Sequence, residues 1–420
     1  MRSATVVSTA VATCIVASVL AGCGSDNATD ADAAGEYYLK GLNGVYRELE
    51  GNDLDDAPWE WDVDLAAPAA HFDEALELDP DHCGALLGSA LCHALLAATD
   101  PELAEILGEL FPPDERRSSG PLLWYAGGPR PLTLLGRVAD TREEFRFSRL
   151  QQYLETDALP ELAIAEDRLT RFEALDCELE LVVSLPDSGG AYPTTMVVEV
   201  DVTDAYFVHA ALDALEAACR CLSVYDVDVE DGQTLYDLIE TDGEFLTLRS
   251  GSHAAAAFQE LGGLAARLQL AADSLSEESD QQSNDVVTQT GGLIELEELI
   301  GDDPVGVLNQ LGEDIADALE TGLEVSPADV DPSAPDVVVV VDLNELLNDP
   351  LTDVRPLLPE HDWPSPDSIR FSEPITMPDP TLDGITPDMS DEDWGPIVLW
   401  LNGLRTSQPR DVERNKARNP

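Results

Sequence analysis

The sequence predicts an α+β body, predominantly helical, in which a helical N-terminal part leads into a β-hairpin or small sheet packed with amphipathic helices. Three observations carry this expectation. Apolar residues recur at helical spacing in one stretch after another, as in Leu162, Ala165, Leu169 and Phe172. β-branched runs flank the turn-rich segment PDSGGAYP, residues 186–193. Composition is globular: of 420 residues, 44% are hydrophobic and 25% charged, which allows two or three domains and a sizeable core.

The N-terminus reads as an address. Arg2 precedes an apolar run from Ala4 to Ala21, the charged-then-apolar order of a secretory signal. The run closes in Leu20-Ala21-Gly22-Cys23, which resembles the lipobox of bacterial lipoproteins: a large aliphatic residue and two small ones before the cysteine that takes the lipid. The resemblance implies removal of residues 1–22 and acylation of Cys23. Several acyl chains at ~0.8 kcal/mol per buried CH₂ hold a soluble body on a bilayer where one chain does not. Gly24 follows Cys23, where lipoproteins kept in the inner membrane carry Asp, so the resemblance implies the outer membrane. The small, polar stretch 23–34 then reads as a flexible tether. Three regions are expected beyond it: helical over 35–175, α+β over 176–350, and Pro-rich and irregular over 351–420.

Charge excludes one class of partner. Against 84 acidic side chains stand 22 basic ones, a formal net charge of −62, so binding to nucleic acid through its phosphates is excluded. Lys40 and Lys416 are the only lysines. That depletion resembles proteins of halophilic or marine organisms, in which high salt screens the repulsion between surface acids. The acids are spread along the whole chain and read as a solvated surface, the alternative being a cation-attracting face. After residue 22 no apolar run reaches the ~20 residues of a membrane span, so the body is expected to be soluble. With Cys14 discarded and Cys23 acylated, Cys83, Cys92, Cys177, Cys219 and Cys221 remain, which allows at most two disulfides. Sequence does not choose among the pairings; small buried cysteines with one bridge from Cys177 to the Cys219/Cys221 pair are expected.

Along the body, residues 35–49 suit a short helix, followed by an acidic loop carrying Trp59 and Trp61, which reads as a lid over the helical core. Residues 69–82 come next. Phe72, Ala75 and Pro80 are spaced as in the second helix and closing turn of a tetratricopeptide repeat, and Ala85 to Leu91 is similar to the first helix of a following repeat, with small residues for close packing. The resemblance covers about residues 66–98. Pro68 departs from it, and no second copy follows, so no peptide-binding superhelix is implied. The unit must pack on helices such as 101–111 and 141–156.

From Arg142 to Ala174 a helix with a break near Pro160 is expected, its stripe formed by Phe147, Leu150 and Leu154, then Leu162, Ala165, Leu169 and Phe172. Strands 178–184 and 195–202 form the hairpin. The next helix has Phe207, Ala211, Ala214, Leu215, Ala218, Leu222 and Tyr225 on one side, and His209, Asp213, Glu216, Arg220 and Ser223 on the other. It is expected to pack its apolar side on the core, with Glu216 and Arg220 forming an i,i+4 pair. A helix over 254–276 buries Phe258, Leu261, Ala265, Leu268, Ala272 and Leu275 and ends in the polar SEESDQQSND. Asp303-Pro304 opens another helix. Val337–Val341 has the pattern of a strand covered on both faces, and Asp342 with Glu345 suggests a capping box. A final helix lies near Asp393–Leu401. This order, with Tyr225-Asp226-Val227-Asp228 and Pro378-Asp379-Pro380-Thr381, is similar to an uncharacterised family of acidic bacterial lipoproteins and implies no activity.

Chemical motifs are sparse. The sequence holds no G-x-S-x-G, P-loop, H-E-x-x-H or Rossmann fingerprint. His71, His82 and His93 recur every eleven residues but fall on two helices and a turn, and read as surface or packing histidines. Residues 226–232 approach a calcium loop, but the glycine comes one position late and Asp237 stands where a bidentate Glu is needed. Trp394 and Trp400 read as core of the last helix, and the basic strip Arg405, Arg410, Arg414, Lys416 and Arg418 as a solvated terminus. No catalytic residue, metal ligand or cofactor is assigned, and Cys23 is the one assigned site. The function expected is a lipid-anchored, non-enzymatic scaffold or binding module with a protein partner in the cell envelope. The alternatives are an envelope hydrolase with a carboxylate cleft and a cation-dependent adhesion or binding protein.

Overall fold

A computed structural model describes residues 33–49, 61, 63–110, 147–185, 194–228, 233–234, 236–277, 286–288, 294–301, 303–326, 335, 337–366 and 368–406. The chain is predominantly helical, with small two-stranded sheets. Helix α1 (Ala33–Leu49) is followed by α2 (Ala66–Leu78), α3 (Cys83–Thr99) and α4 (Pro101–Leu110). His82 starts α3, its Nδ1 accepting the Ala85 N–H at 3.2 Å. Helix α5 (Phe147–Tyr153) runs through a π turn (Leu154–Ala158) into α6 (Leu159–Ala174). The expected break at Pro160 is therefore a widened turn. Proline lacks an N–H and crowds the carbonyl four residues back, and a π turn absorbs both without ending the helix.

Strands β1 (Leu179–Leu185) and β2 (Thr194–Val200) pair antiparallel, Leu179 opposite Val200, as the alternation predicts. Helix α7 (Val202–Leu222) and helix α8 (Gly251–Glu277) follow, then the short parallel pair β3 (Val287–Thr288) and β4 (Ile294–Glu295), α9 (Leu296–Ile300) and α10 (Pro304–Thr321). Asp303 caps α10 by accepting the Gly306 N–H at 3.0 Å. At the end of α10, Gly322 has φ +99, and a Cβ there would stand 2.8 Å from Val340 Cγ1, so glycine makes the turn into β5 (Leu323–Val325). That strand pairs antiparallel with β6 (Val339–Val341). Asp342 caps α11 (Leu343–Asn348), accepting from Asn344 and Glu345 N–H. Strands β7 (His361–Ser365) and β8 (Ser368–Phe371) form a second hairpin, and α12 (Asp391–Thr406) closes the described chain.

These elements fall into two compact units. The first draws on residues 1–126, 149–220 and 259–316. Its core holds Phe72, Leu86, Leu162, Leu169 and Phe172, all fully buried, with Trp61 beneath the surface as well. The helical run Cys83–Gly108 is long and apolar enough to cross a membrane, contrary to the sequence expectation. Yet 72% of its apolar window is buried inside the fold, where α3 packs against α2 and α6. The second unit draws on residues 127–148, 221–258 and 317–420. Trp394 packs there between one cluster of Val339, Met389 and Ile397 and another of Ile375, Met377 and Val398, donating Nε1–H to the Pro380 carbonyl at 2.7 Å.

Four further expectations are corrected. Cys177 bridges to Cys83, with Cα atoms 5.8 Å apart, and not to Cys219 or Cys221. The bridge ties the start of α3 to the segment just after α6, two helices that pack together, while Cys92, Cys219 and Cys221 lie outside any disulfide, the first two buried and the last exposed. The run Val337–Val341 is not covered on both faces: only residues 339–341 pair, in a two-stranded sheet, and Val338 is 58% exposed. The Pro-rich region is not wholly irregular, since it contains β7 and β8. On α7 the polar side is not the solvent side: of the expected apolar side Phe207 is buried but Ala214 and Leu222 are exposed, while His209, Asp213 and Glu216 are inside, as is Ser223 just beyond the helix.

Candidate functional site

The inverted burial of α7 creates the site. His209, Asp213 and Glu216 follow at i, i+4 and i+7, which sets three ionisable groups on one face. Their side chains are 0%, 2% and 1% exposed. Burying charges this deeply is unfavourable unless something answers them. Helix α6 brings Glu166 and Glu173 to this face, and α8 brings Glu260 and Arg267. The guanidiniums answer in part. Arg220 Nη2 bonds Glu216 Oε2 at 2.8 Å, the predicted i,i+4 pair, and its Nε lies 3.3 Å from Glu260 Oε1. Arg267 Nη1 bonds Asp213 Oδ2 at 3.2 Å. Gly263 makes room for that contact, because a Cβ there would stand 2.9 Å from Asp213 Oδ2.

Carboxylates outnumber guanidiniums here by five to two. Burial pushes Asp213 up to about 7, with Arg267 pulling against it and Glu166, Glu260 and Glu216 adding to it. Burial likewise pushes Glu216 up to about 7, chiefly aided by Glu260 and opposed by Arg220. Glu260 is raised by burial and by Glu166. Near neutrality Asp213 and Glu216 are therefore partly protonated, because two guanidiniums do not neutralise five carboxylates.

Two buried acceptor atoms of the cluster have no hydrogen-bond partner among the described residues: His209 Nε2 and Glu216 Oε1. His209 Nδ1 lies 2.6 Å from Glu173 Oε1, so in the neutral tautomer that donates Nδ1–H to this carboxylate the lone pair is on Nε2. Donor atoms of Glu166, His209 and Asp213 lie within 4.8 Å of one another, and so do those of Glu166, Glu216 and Glu260. These residues could hold a cation.

A second polar cluster lies elsewhere in the same unit. His93 on α3 bonds Glu161 of α6 through Nδ1 and Asp73 of α2 through Nε2, the latter at 3.3 Å. Ser89 donates to Asp73 at 2.8 Å, and Arg168 lies 3.5 Å from the same carboxylate. Both ring nitrogens of His93 are answered, and the cluster acts as a clamp across three helices.

The residues singled out in the sequence are placed as follows. Cys23, Trp59, residues 229–232 and 407–420 lie outside the described residues, as do the side chains of Trp400 and Arg405. The three evenly spaced histidines do not converge: His71 faces Glu74, His82 caps α3 with its ring 4.9 Å from that of Tyr38, and His93 sits in the clamp. Asp226 accepts the Asp228 N–H in a local turn, and Asp228 accepts the Ser148 N–H in the first turn of α5. Sequence reasoning missed Glu166, His209, Asp213, Glu216 and Glu260 as a site. Their signal is present in the polar stripe of α7, which periodicity alone directs to solvent. No known family model matches the chain, and no curated protein or solved structure matches it.

Proposed function

We propose that this chain is a lipid-anchored protein of the bacterial cell envelope, held at the outer membrane through Cys23, whose body is a non-enzymatic scaffold or binding module for an envelope protein. The observation that carries the reading is the order Leu20-Ala21-Gly22-Cys23 at the end of an apolar leader, followed by a small, polar tether. A lipid anchor restricts partners to those within reach of the bilayer. The pairing of α2 with α3 supports the tetratricopeptide-like part of the reading. Phe72 of α2 meets α3 at Gly88, one of the small residues that permit close packing there. The absence of nucleophile-elbow, P-loop and zincin motifs from the sequence supports a role in binding.

The anchor is tested by growing cells with a radiolabelled fatty acid. Label is expected on the mature chain and absent from Cys23→Ser, which should leave the membrane fraction. An unlabelled chain free in the medium overturns the proposal. Crosslinking in intact cells, comparing the anchored chain with Cys23→Ser, is expected to capture an envelope protein that depends on the anchor.

A further inference from the structure

We infer that α6, α7 and α8 form a site for one divalent first-row transition-metal cation, held by His209 Nε2, Asp213 Oδ1 and a carboxylate oxygen of Glu166. The inference stands on the buried cluster alone and is independent of whether Cys23 is acylated.

The geometry around His209 leads to it. His209 sets Nδ1 against Glu173 and turns a buried, unpartnered Nε2 toward Asp213 Oδ1, 3.9 Å away; in the neutral tautomer that donates Nδ1–H to Glu173, this Nε2 carries a lone pair. Two electron-rich atoms then face each other in a place closed to water. The separation is too long for a hydrogen bond. It is shorter than the ~4.2 Å that spans two ligands on opposite sides of a cation with bonds of about 2.1 Å. Glu166 supplies the third donor, all three lying within 4.8 Å of one another. A carboxylate on the far nitrogen of a ligating imidazole is the usual outer partner of a metal-bound histidine, since it fixes the tautomer and raises basicity. Glu173 occupies that place.

The ligand types select the cation. Imidazole nitrogen with two carboxylates suits Zn²⁺, Mn²⁺ or Fe²⁺, whereas Ca²⁺ and Mg²⁺ favour all-oxygen cages. The surroundings also limit the site to one ion. Glu216 and Glu260, which with Glu166 make the second group of donors, are both engaged by Arg220, so a guanidinium already serves there. Arg267 takes Asp213 Oδ2 and leaves Oδ1 for the ion.

The test is calorimetric titration of Zn²⁺ into the full chain, stripped by chelator, in excess Ca²⁺ so that surface acids are occupied. One tight site per chain is expected, weakened at least tenfold in His209→Gln and in Asp213→Asn, and unchanged in Glu77→Gln, an exposed acid. Asp213→Asn keeps the volume of the side chain, and far-ultraviolet circular dichroism shows whether each variant folds. If His209→Gln does not fold, the Asp213→Asn result decides, together with the Co²⁺ spectrum of the unaltered chain, which is expected to carry the band pattern of mixed nitrogen and oxygen ligation. The inference is overturned if the unaltered chain has no site tighter than its Ca²⁺-competed background, or if folded Asp213→Asn binds Zn²⁺ as tightly as the unaltered chain.

Discussion

His93 sits between carboxylates supplied by two other helices, and its titration should be visible in the stability of the fold. Burial alone would lower the pKa of the imidazole, but the hydrogen bonds it donates to Asp73 and Glu161 outweigh it and raise the value above that of a free histidine. Asp73 is shifted down: burial opposes the shift, and the hydrogen bonds from His93 and Ser89 with the nearby Arg168 overcome it. A group whose folded pKa is raised contributes stability that is fully present below its unfolded value and is lost as pH rises through the folded one. His93→Gln is therefore expected to cost the most below about pH 6.5, roughly 1–2 kcal/mol after allowance for the part-exposed carboxylates, and less as pH climbs above neutrality. At the acid end the gain fades again as Asp73 protonates. Urea melts of both proteins across pH 4–9 (roughly the window set by ordinary carboxylate and imidazole values) check this; a cost that stays level or grows above neutrality would show that His93 acts as a neutral spacer.

Helix contacts make sharper predictions, because glycine adds or removes space at known positions. The ring of Phe72 is held between Gly41 of α1 and Gly88 of α3, where a Cβ would stand 2.7 Å and 2.5 Å from ring carbons. A fully buried ring has nowhere to move, so Gly88→Ala should destabilise by about 1–3 kcal/mol despite its better helix propensity. Neighbouring glycines in α8 provide an internal control. A methyl added at Gly262 would meet nothing within 4 Å, so Gly262→Ala should stabilise by roughly 0.5–1 kcal/mol. Gly263→Ala gains the same propensity but drives a methyl against Asp213 and Arg267, and thermal melts should place it below both Gly262→Ala and the unaltered chain. These elements also mark how far the sequence was legible. The stripe Leu162, Ala165, Leu169 and Phe172 was readable because four apolar residues at helical spacing have one favourable direction, inward, and all four are buried. On α7 the same rule places Phe207 inward but sends His209, Asp213 and Glu216 to solvent, where they are not. Its polar face is inside because Glu166 and Arg267 come from helices dozens of residues distant, and periodicity within α7 carries no record of them. The i,i+4 pair Glu216–Arg220 was legible because it is local. The bridge from Cys83 to Cys177 was not, since 94 residues separate its ends.

At the scale of the whole molecule, one covalent link and one long-range field set the conditions under which the fold persists. The Cys83–Cys177 bridge closes a loop of 94 residues, and loops of that size are stabilised by constraint of the unfolded chain. Reduction, or Cys83→Ser with Cys177→Ser, is expected to cost about 2–5 kcal/mol, read as a fall in the urea midpoint with the folded spectrum retained in the absence of denaturant. The field is that of a formal net charge of −62. Repulsion among exposed acids opposes the compact state, and it decays over the Debye length, about 30 Å at 0.01 M salt and about 3 Å at 1 M. The contacts that hold the first unit together are insulated from that change. Phe72 packs without charge, while His93 and Glu216 are buried and Arg220 is partly so, and all three are screened far less than surface ions. Salt should therefore remove the repulsion and leave the attractive contacts nearly intact, so the melting temperature should rise steadily from about 0.01 M to 1 M NaCl. Sodium sulfate also strengthens burial by exclusion from the surface, so NaCl is the cleaner probe, and sucrose at matched water activity separates screening from exclusion. A melting temperature that is flat or falls over this range would mean that the surface acids are already neutralised, by bound cations or by protons, before any salt is added.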